Sequence, residues 1–308
     1  MLPVRTVLLS LALLGCDARQ GKVPDWVASA PAPAVTAVSC QAGWATGPSH
    51  LALLPAPFPQ AERARARFLE RTRIQSGETG RITVYLAEPA AGARVPDLVI
   101  QLGGFNDPGG LQGAIADAFP AAGTQRLEQQ ELPLFAVLDW DPYRFRAMAD
   151  GQGRIWLGDL AALARLGGGA RVRRAVAGSM ARISPEAPIQ GYIRPDELLP
   201  DGSGSLPGEL ARSLPRGIDF VAWGLTPGPD PKGLNGFELS VGGSRAAIQQ
   251  ALPWLQRMAA AVTAMPGAPA QAPEFLQEAR RLGLHCQLTQ EQVDLVMIRL
   301  NQPAVACH

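Results

Sequence analysis

The sequence predicts an α+β fold of two tandem related units, each a mostly antiparallel sheet with packed helices, preceded by a removable N-terminal segment and a flexible tether. Three observations predict it. The first is a repeated order of signals. A strand-like run opening on glycine (Gly80 to Leu86, Gly217 to Leu225) is followed by a loop, a second strand-like run with a glycine pair at its end (Gly103-Gly104, Gly242-Gly243) and a helical pattern. In that alignment Leu102 matches Val241 and Ile100 matches Leu239. The second is length: 308 residues suit two cores better than one small domain. The third is the lack of the regular strand-helix alternation that marks a doubly wound sheet. The units are expected over residues 35–170 and 171–308, after a signal over 1–15 and a tether over 16–34.

Composition narrows the function classes. Formal charge is +1, and the basic residues are nearly all arginine, with Lys22 and Lys232 the only lysines. No basic field of the kind that gathers phosphate backbones exists, which argues against nucleic acid as a partner. Apolar residues make up 47%, enough for a folded globule, while 28 prolines and 33 glycines imply long irregular connections between periodic segments.

The N-terminus carries the most specific signal. Met1 to Gly15 has one charge at Arg5, an apolar stretch from Val7 to Leu14, and then Leu13-Leu14-Gly15-Cys16. The apolar stretch is too short to span a bilayer core of about 30 Å, which needs about 20 residues, so it reads as a processed signal. These first sixteen residues resemble a bacterial lipoprotein precursor, whose lipobox ends in a small residue before the cysteine that is diacylated and becomes the mature N-terminus. The resemblance implies lipidation of Cys16 and a protein held at a membrane of the cell envelope, facing the periplasm. Asp17 resembles the enterobacterial signal for retention at the inner membrane. Residues 18–33, with glycine, serine, alanine and three prolines, suit a tether between lipid and body.

Along the body, Ser49 to Leu54 suits a short strand and Pro59 to Ile74 a helix. Its arginines 63, 65, 67, 71 and 73 alternate with Glu62 and Glu70 and form a solvated face. Arg81 to Ala87 alternates as a half-buried strand does, with Ile82, Val84 and Leu86 on one side. Asp97 to Leu102 is a nearly continuous apolar run, as in a central strand, and the helix that follows should bury Leu111, Ile115, Ala118 and Phe119. Arg126 to Leu132 and Leu134 to Leu138 read as strands. Asp139-Trp140-Asp141-Pro142 forces a turn, Gly153 to Leu157 gives one more strand, and a short helix from Asp159 to Leu166 closes the first unit.

Arg171 to Ile183 is expected to be a helix joining the units, and Pro188 to Ile193 a strand. In the second unit Ser244 is placed as the N-cap of a long helix with Ile248, Leu252, Leu255, Met258 and Val262 on one face and a kink at Pro253. Glu274 to Leu282 reads as a last helix, with Leu284 to Leu288 and Val293 to Leu300 as closing strands.

No segment carries a catalytic, cofactor or metal signature. The glycine pairs lack G-x-G-x-x-G or a G-K-S/T ending, so turn geometry accounts for them. Asp139 and Asp141, with Asp107 or Asp150, would serve a hard cation or acid-base work, but two carboxylates around a Trp and before a Pro also end strands. His50, His285 and His308 show no zinc spacing, and Cys286 beside His285 would face the opposite side of a strand. Trp140, Trp156, Trp223 and Trp254 read as packing, while leaving room for an apolar or sugar-binding cleft. Arg171, Arg173, Arg174 and Arg182 read as a solvated helix face rather than a lipid or acidic-partner contact.

Once Cys16 is acylated, three cysteines remain, so one internal bridge at most forms. Cys286 with Cys307 is the expected pair, and Cys40 with either is the rival. The reading is a lipid-anchored envelope protein that binds or assembles with another protein at the membrane surface, without cofactor and without catalysis. The alternatives are an envelope hydrolase built from dispersed residues such as Asp139, Asp141 and His50, and a carrier for an apolar ligand.

Overall fold

The computed structural model describes residues 24–31, 34–41, 70–72, 80–87, 97–120, 125–127, 130–132, 134–140, 143–164, 166, 178, 180–195, 214–226, 228, 234–264, 272–289 and 291–292. They form a mixed α+β fold dominated by one antiparallel sheet. In chain order the elements are α1 (Asp25–Ala28), β1 (Ala34–Gln41), β2 (Arg81–Ala87), β3 (Asp97–Gly103), α2 (Pro108–Ala118), β4 (Gln125–Leu127), β5 (Gln130–Leu132), β6 (Leu134–Trp140), β7 (Tyr143–Ala149), β8 (Ile155–Gly158) and α3 (Leu160–Ala164). The second half adds β9 (Ile189–Ile193), β10 (Ile218–Thr226), β11 (Asn235–Gly243), α4 (Arg245–Thr263), β12 (Glu274–Gln277) and β13 (Arg281–Leu288).

Eleven of the described strands form a single sheet in the order β12-β13-β11-β10-β9-β1-β2-β3-β8-β7-β6, and β4 and β5 make a separate small ladder. The two sequence units thus contribute contiguous halves that meet where β1 pairs antiparallel with β9. Outward from β1 come β2, β3 and, beyond α2 in sequence, β8 and β7; outward from β9 come β10, β11 and, beyond α4, β13 and β12. The same order therefore runs in opposite directions from a central antiparallel pair, as a two-fold axis through that pair requires.

Register follows the same relation. Val38 of β1 faces Val84, Val84 faces Ile100 and Ile100 faces Leu157. On the other side Gly191 faces Trp223, Trp223 faces Leu239 and Leu239 faces Leu284. Val38 and Gly191 face each other, which joins the two series into one row. Ile100 and Leu239 hold the equivalent places that the sequence repeat gives them. Gly103 ends β3, Gly104 follows with φ 71°, and Gly242-Gly243 ends β11; neither pair lies in a helix.

The two faces of the sheet differ because strand side chains alternate. On the first face, α4 lays Ile248, Ala251 and Leu255 against Val221, Trp223, Leu239 and Leu284, while α2 lays Leu111 and Ile115 against Val84, Ile100, Leu138 and Leu157. Burial of such side chains stabilises by about 1.5–3 kcal/mol each relative to exposure, and it drives both helices onto that face. At Gly191 a Cβ would stand 2.5 Å from the Trp223 ring, so the missing side chain is what lets the indole lie across β9. Ser244 caps α4 as its position suggests, its Oγ accepting from the Ala247 amide at 3.2 Å, and Asp107 caps α2 by accepting from the Gly110 amide at 2.8 Å. Helix α4 continues from Arg245 through Pro253 to Thr263, with Pro253 on its exposed side.

Several elements differ from the sequence expectation. Glu274 to Leu282 is not a helix: Glu274–Gln277 is strand β12 and Arg281 opens β13, with Glu278 N–H donating to the Arg281 carbonyl at 2.9 Å across the turn. Strands β1 and β7 appear where no strand was expected. Arg126 to Leu132 splits into the β4-β5 ladder. The tether expected over 16–34 ends earlier, because residues 24–31 are docked on the second face, with Trp26 4% and Val27 0% exposed. Indole burial outweighs the entropy that proline- and alanine-rich chain would keep. The unit boundary at 170/171, the Ser49 to Leu54 strand, the Val293 to Leu300 strand and most of the Pro59 to Ile74 and Arg171 to Ile183 helices lie outside the described residues. No helix among the described residues is long and apolar enough to cross a membrane.

Candidate functional site

The second face carries a row of polar residues one step along from the apolar row. Strand by strand it reads Glu274, His285, Glu238, Gly224, Gln190, Ser39, Thr83, Gln101 and Trp156, each facing the next in register. Alternation puts them there: from His285 to Trp156, each is the neighbour in sequence of a buried apolar residue on the first face. Gln190, Ser39, Thr83 and Gln101 in its centre are buried. A buried polar group without a partner costs about 1–3 kcal/mol, so this row has to find bonds above the sheet.

Two crossing segments supply them. Residues 24–31, including α1, cover the middle: the Trp26 indole Nε1 donates to Gln190 Oε1 at 3.0 Å and stacks on Tyr192 with centroids 5.9 Å apart. The Tyr85 hydroxyl lies 2.5 Å from the Trp26 carbonyl and 2.8 Å from Gln101 Oε1, and Gln101 Nε2 lies 2.8 Å from Ser29 Oγ. A phenol carries one proton and cannot serve two acceptors. Its hydroxyl therefore donates to one of the two, while Gln101 Nε2 donates to Ser29 Oγ and Ser29 Oγ donates to the Asp25 carbonyl at 2.9 Å. Burial, with Tyr192 close by, holds the Tyr85 phenol well above its ordinary range, so it stays a neutral donor.

The second crossing segment is 183–188. Gln190 Nε2 donates to the Ser184 carbonyl at 2.8 Å, and the Ser184 amide donates to Glu238 Oε2 at 2.6 Å. Arg81 braces the middle of the row: its Nε donates to Ser39 Oγ at 2.9 Å, and its Nη2 donates to the carbonyls of Ser39, Ala187 and Pro188 at 3.2–3.3 Å. Thr83 Oγ1 donates to the same Ser39 Oγ at 2.9 Å. Arg182 and Glu278, 2.6 Å apart, link the crossing segment to the β12-β13 turn.

Chemically this arrangement fixes chain segments rather than substrates. Its central members are neutral amides, hydroxyls and an indole, engaged with one another, and Ser39 meets arginine and threonine rather than a histidine base. At the β12 end of the row His285 Nδ1 and Glu274 Oε2 are 4.0 Å apart, the histidine half-buried and the glutamate exposed. Burial raises the Cys286 thiol to about 11, which makes it a poor nucleophile near neutrality.

No protein-family model matches this chain, and no curated protein matches it. Among solved structures the chain is similar to one described as crystal form I of TP0453, at 13% identity, with 90% of this chain and 100% of that chain covered and a TM-score of 0.43.

The structure separates the residues that the sequence singled out. Asp139 falls within β6 rather than in the turn, and Asp141 and His50 lie outside the described residues. Asp107 serves as a helix cap and Asp150 holds the β7-β8 turn, so neither joins a common site with the other. Among the described residues no cluster of His, Cys, Asp or Glu could hold a metal ion. Trp156 and Trp223 are core residues, on opposite faces. The apolar stripe of α4 is packed on the sheet. Cys16, Asp17 and Cys307 lie outside the described residues. Cys286 on β13 and Cys40 on β1 stand four strands apart, which at about 4.8 Å per strand is far beyond disulfide reach and excludes that rival pairing.

The residues that sequence reading missed are Trp26, Ser29 and Gln190. A lone tryptophan in a stretch otherwise rich in proline and alanine was the available signal, since an indole that size is seldom left in water.

The other exposed feature is β12. Among the described strands it is the outer one at one end of the sheet, every residue in it is exposed, and Phe275 and Leu276 present 36% and 61% of their surface to water.

Proposed function

We propose that this chain is a lipid-anchored protein of a bacterial envelope, facing the periplasm, whose folded body binds or assembles with another protein at the membrane surface and catalyses no reaction. The anchor is Cys16 within Leu13-Leu14-Gly15-Cys16, with Asp17 favouring the inner membrane where the enterobacterial sorting rule applies. The observation that carries the binding role is the β12 edge. An outer strand offers unpaired backbone groups, and natural sheets usually protect them with charges or proline. Here exposed Phe275 and Leu276 stand on that edge beside Glu274. An extended segment of a partner protein adding beside β12 would satisfy the backbone and cover both side chains.

The test has two arms. Cys16→Ser should move the protein from the membrane fraction to the soluble envelope fraction, and a variant that stays on the membrane after a high-salt wash overturns the anchor. A photoreactive side chain in place of Leu276, irradiated in cells, should give a discrete protein adduct that Phe275→Lys abolishes. Irradiation that yields no protein adduct overturns the binding site at β12.

A further inference from the structure

We infer that the bilayer is a docking surface for this protein and that the second face of the sheet, covered by α1, is the side turned toward it. The inference rests on the lipidation of Cys16 proposed above and adds the orientation.

The argument is one of chain length. Cys16 and Pro24 are eight Cα–Cα steps apart in sequence, and a chain spans at most about 3.6 Å per step, or about 29 Å in all. A flexible coil of that many steps would average about 16 Å. Pro24 is not free to move away from the body. Its carbonyl accepts from Val27 and Ala28, and the turn it opens is held by the buried Trp26 and Val27 side chains and by the Gln190, Tyr85 and Ser29 bonds. Were residues 24–31 undocked, the first fixed point would be Ala34, at the start of β1. The reach would then grow to about 65 Å and the body would turn freely. Docking at the middle of the second face therefore brings that face, with exposed Asp25 and Ala28 on α1, to the lipid surface. Helix α4, with Gln256 exposed on it, lies over the opposite face and points away.

The experiment uses the lipidated full-length protein in phosphatidylcholine vesicles that contain a lipid with a spin-labelled headgroup. A fluorescent amino acid is incorporated at Ala28 in one sample and at Gln256 in another, and headgroup quenching is compared. The expected result is quenching several-fold stronger at 28 than at 256. Inserting a glycine-serine stretch of about twenty residues between Gln20 and Gly21 leaves the core untouched and should erase the difference. Equal quenching at the two positions in the uninserted protein, or stronger quenching at 256, overturns the orientation while leaving the anchor intact. A protein whose Cys16 carries no acyl mass, or that does not bind the vesicles, overturns the anchor and the orientation with it.

Discussion

Asp150 shows how one carboxylate can shape a turn. Its Oδ1 accepts from the amides of Gln152 and Arg154 at 2.9 and 3.1 Å, and its Oδ2 accepts from Arg154 Nε at 2.6 Å and Trp156 Nε1 at 3.0 Å. Burial by itself would push this carboxyl up. The bonds from Trp156, Arg154 and Gln152 outweigh it and hold the group below the usual carboxylate range. A carboxyl depressed in the folded state stabilises fully above its unfolded value, about 3.9, and the contribution is lost as pH falls through the folded value. Asp150→Asn should therefore lower the urea midpoint at pH near 7, with the gap from the parent narrowing as pH falls below about 4. A gap that stays constant between those conditions would mean that Asp150 acts through shape and not charge. The same residue fixes the Trp156 indole from its polar end, and Tyr85 stacks on that ring with centroids 6.2 Å apart, so the turn and the polar row share a side chain.

At the level of elements, α4 is the clearest case of local and tertiary signals agreeing. Its apolar stripe meets the sheet and Ser244 supplies its cap. Replacing Ser244 by Ala should cost about 1 kcal/mol, read from the denaturant midpoint with an unchanged slope, and no loss would show that the Gly217 carbonyl, which accepts from the Ser244 amide at 3.0 Å, suffices to start the helix. Strands β2, β3, β9, β10 and β11 and helix α2 were equally legible, because alternation or an unbroken apolar run survives in each. The failures have separate causes. In β12, Glu-Phe-Leu-Gln-Glu-Ala-Arg-Arg is a run of good helix formers, and pairing with β13 overrides that preference. Strand β7 does alternate, with Phe145 and Ala147 inward and Arg144 and Arg146 outward, but in sequence it directly follows Asp141-Pro142. Strand β1 is made of small residues next to prolines, and its place at the centre of the sheet depends on β2 and β9, which are distant in sequence. For the same reason the polar row was invisible: Ser39, Gln101 and Gln190 are ordinary residues until the register brings them side by side.

The described residues centre on a sheet whose halves are joined by backbone pairing, since β1 meets β9 along five registered residue pairs. The order of strands on each side of that junction is the arrangement two identical subunits take about a two-fold axis, where one surface meets itself. A chain encoding a single half would carry its first strand as an open edge, and the best-fitting partner for that edge would be the same strand of another copy. Residues 171–308 made alone should accordingly sediment as a dimer and unfold at a midpoint that rises with protein concentration. A monomer with a concentration-independent midpoint would show that β9 finds no mate in itself. In the full-length protein the two halves arrive on one polypeptide, so the encounter that two separate half-length chains would leave to mass action is already made at synthesis. The central seam would stay closed at any abundance of the protein.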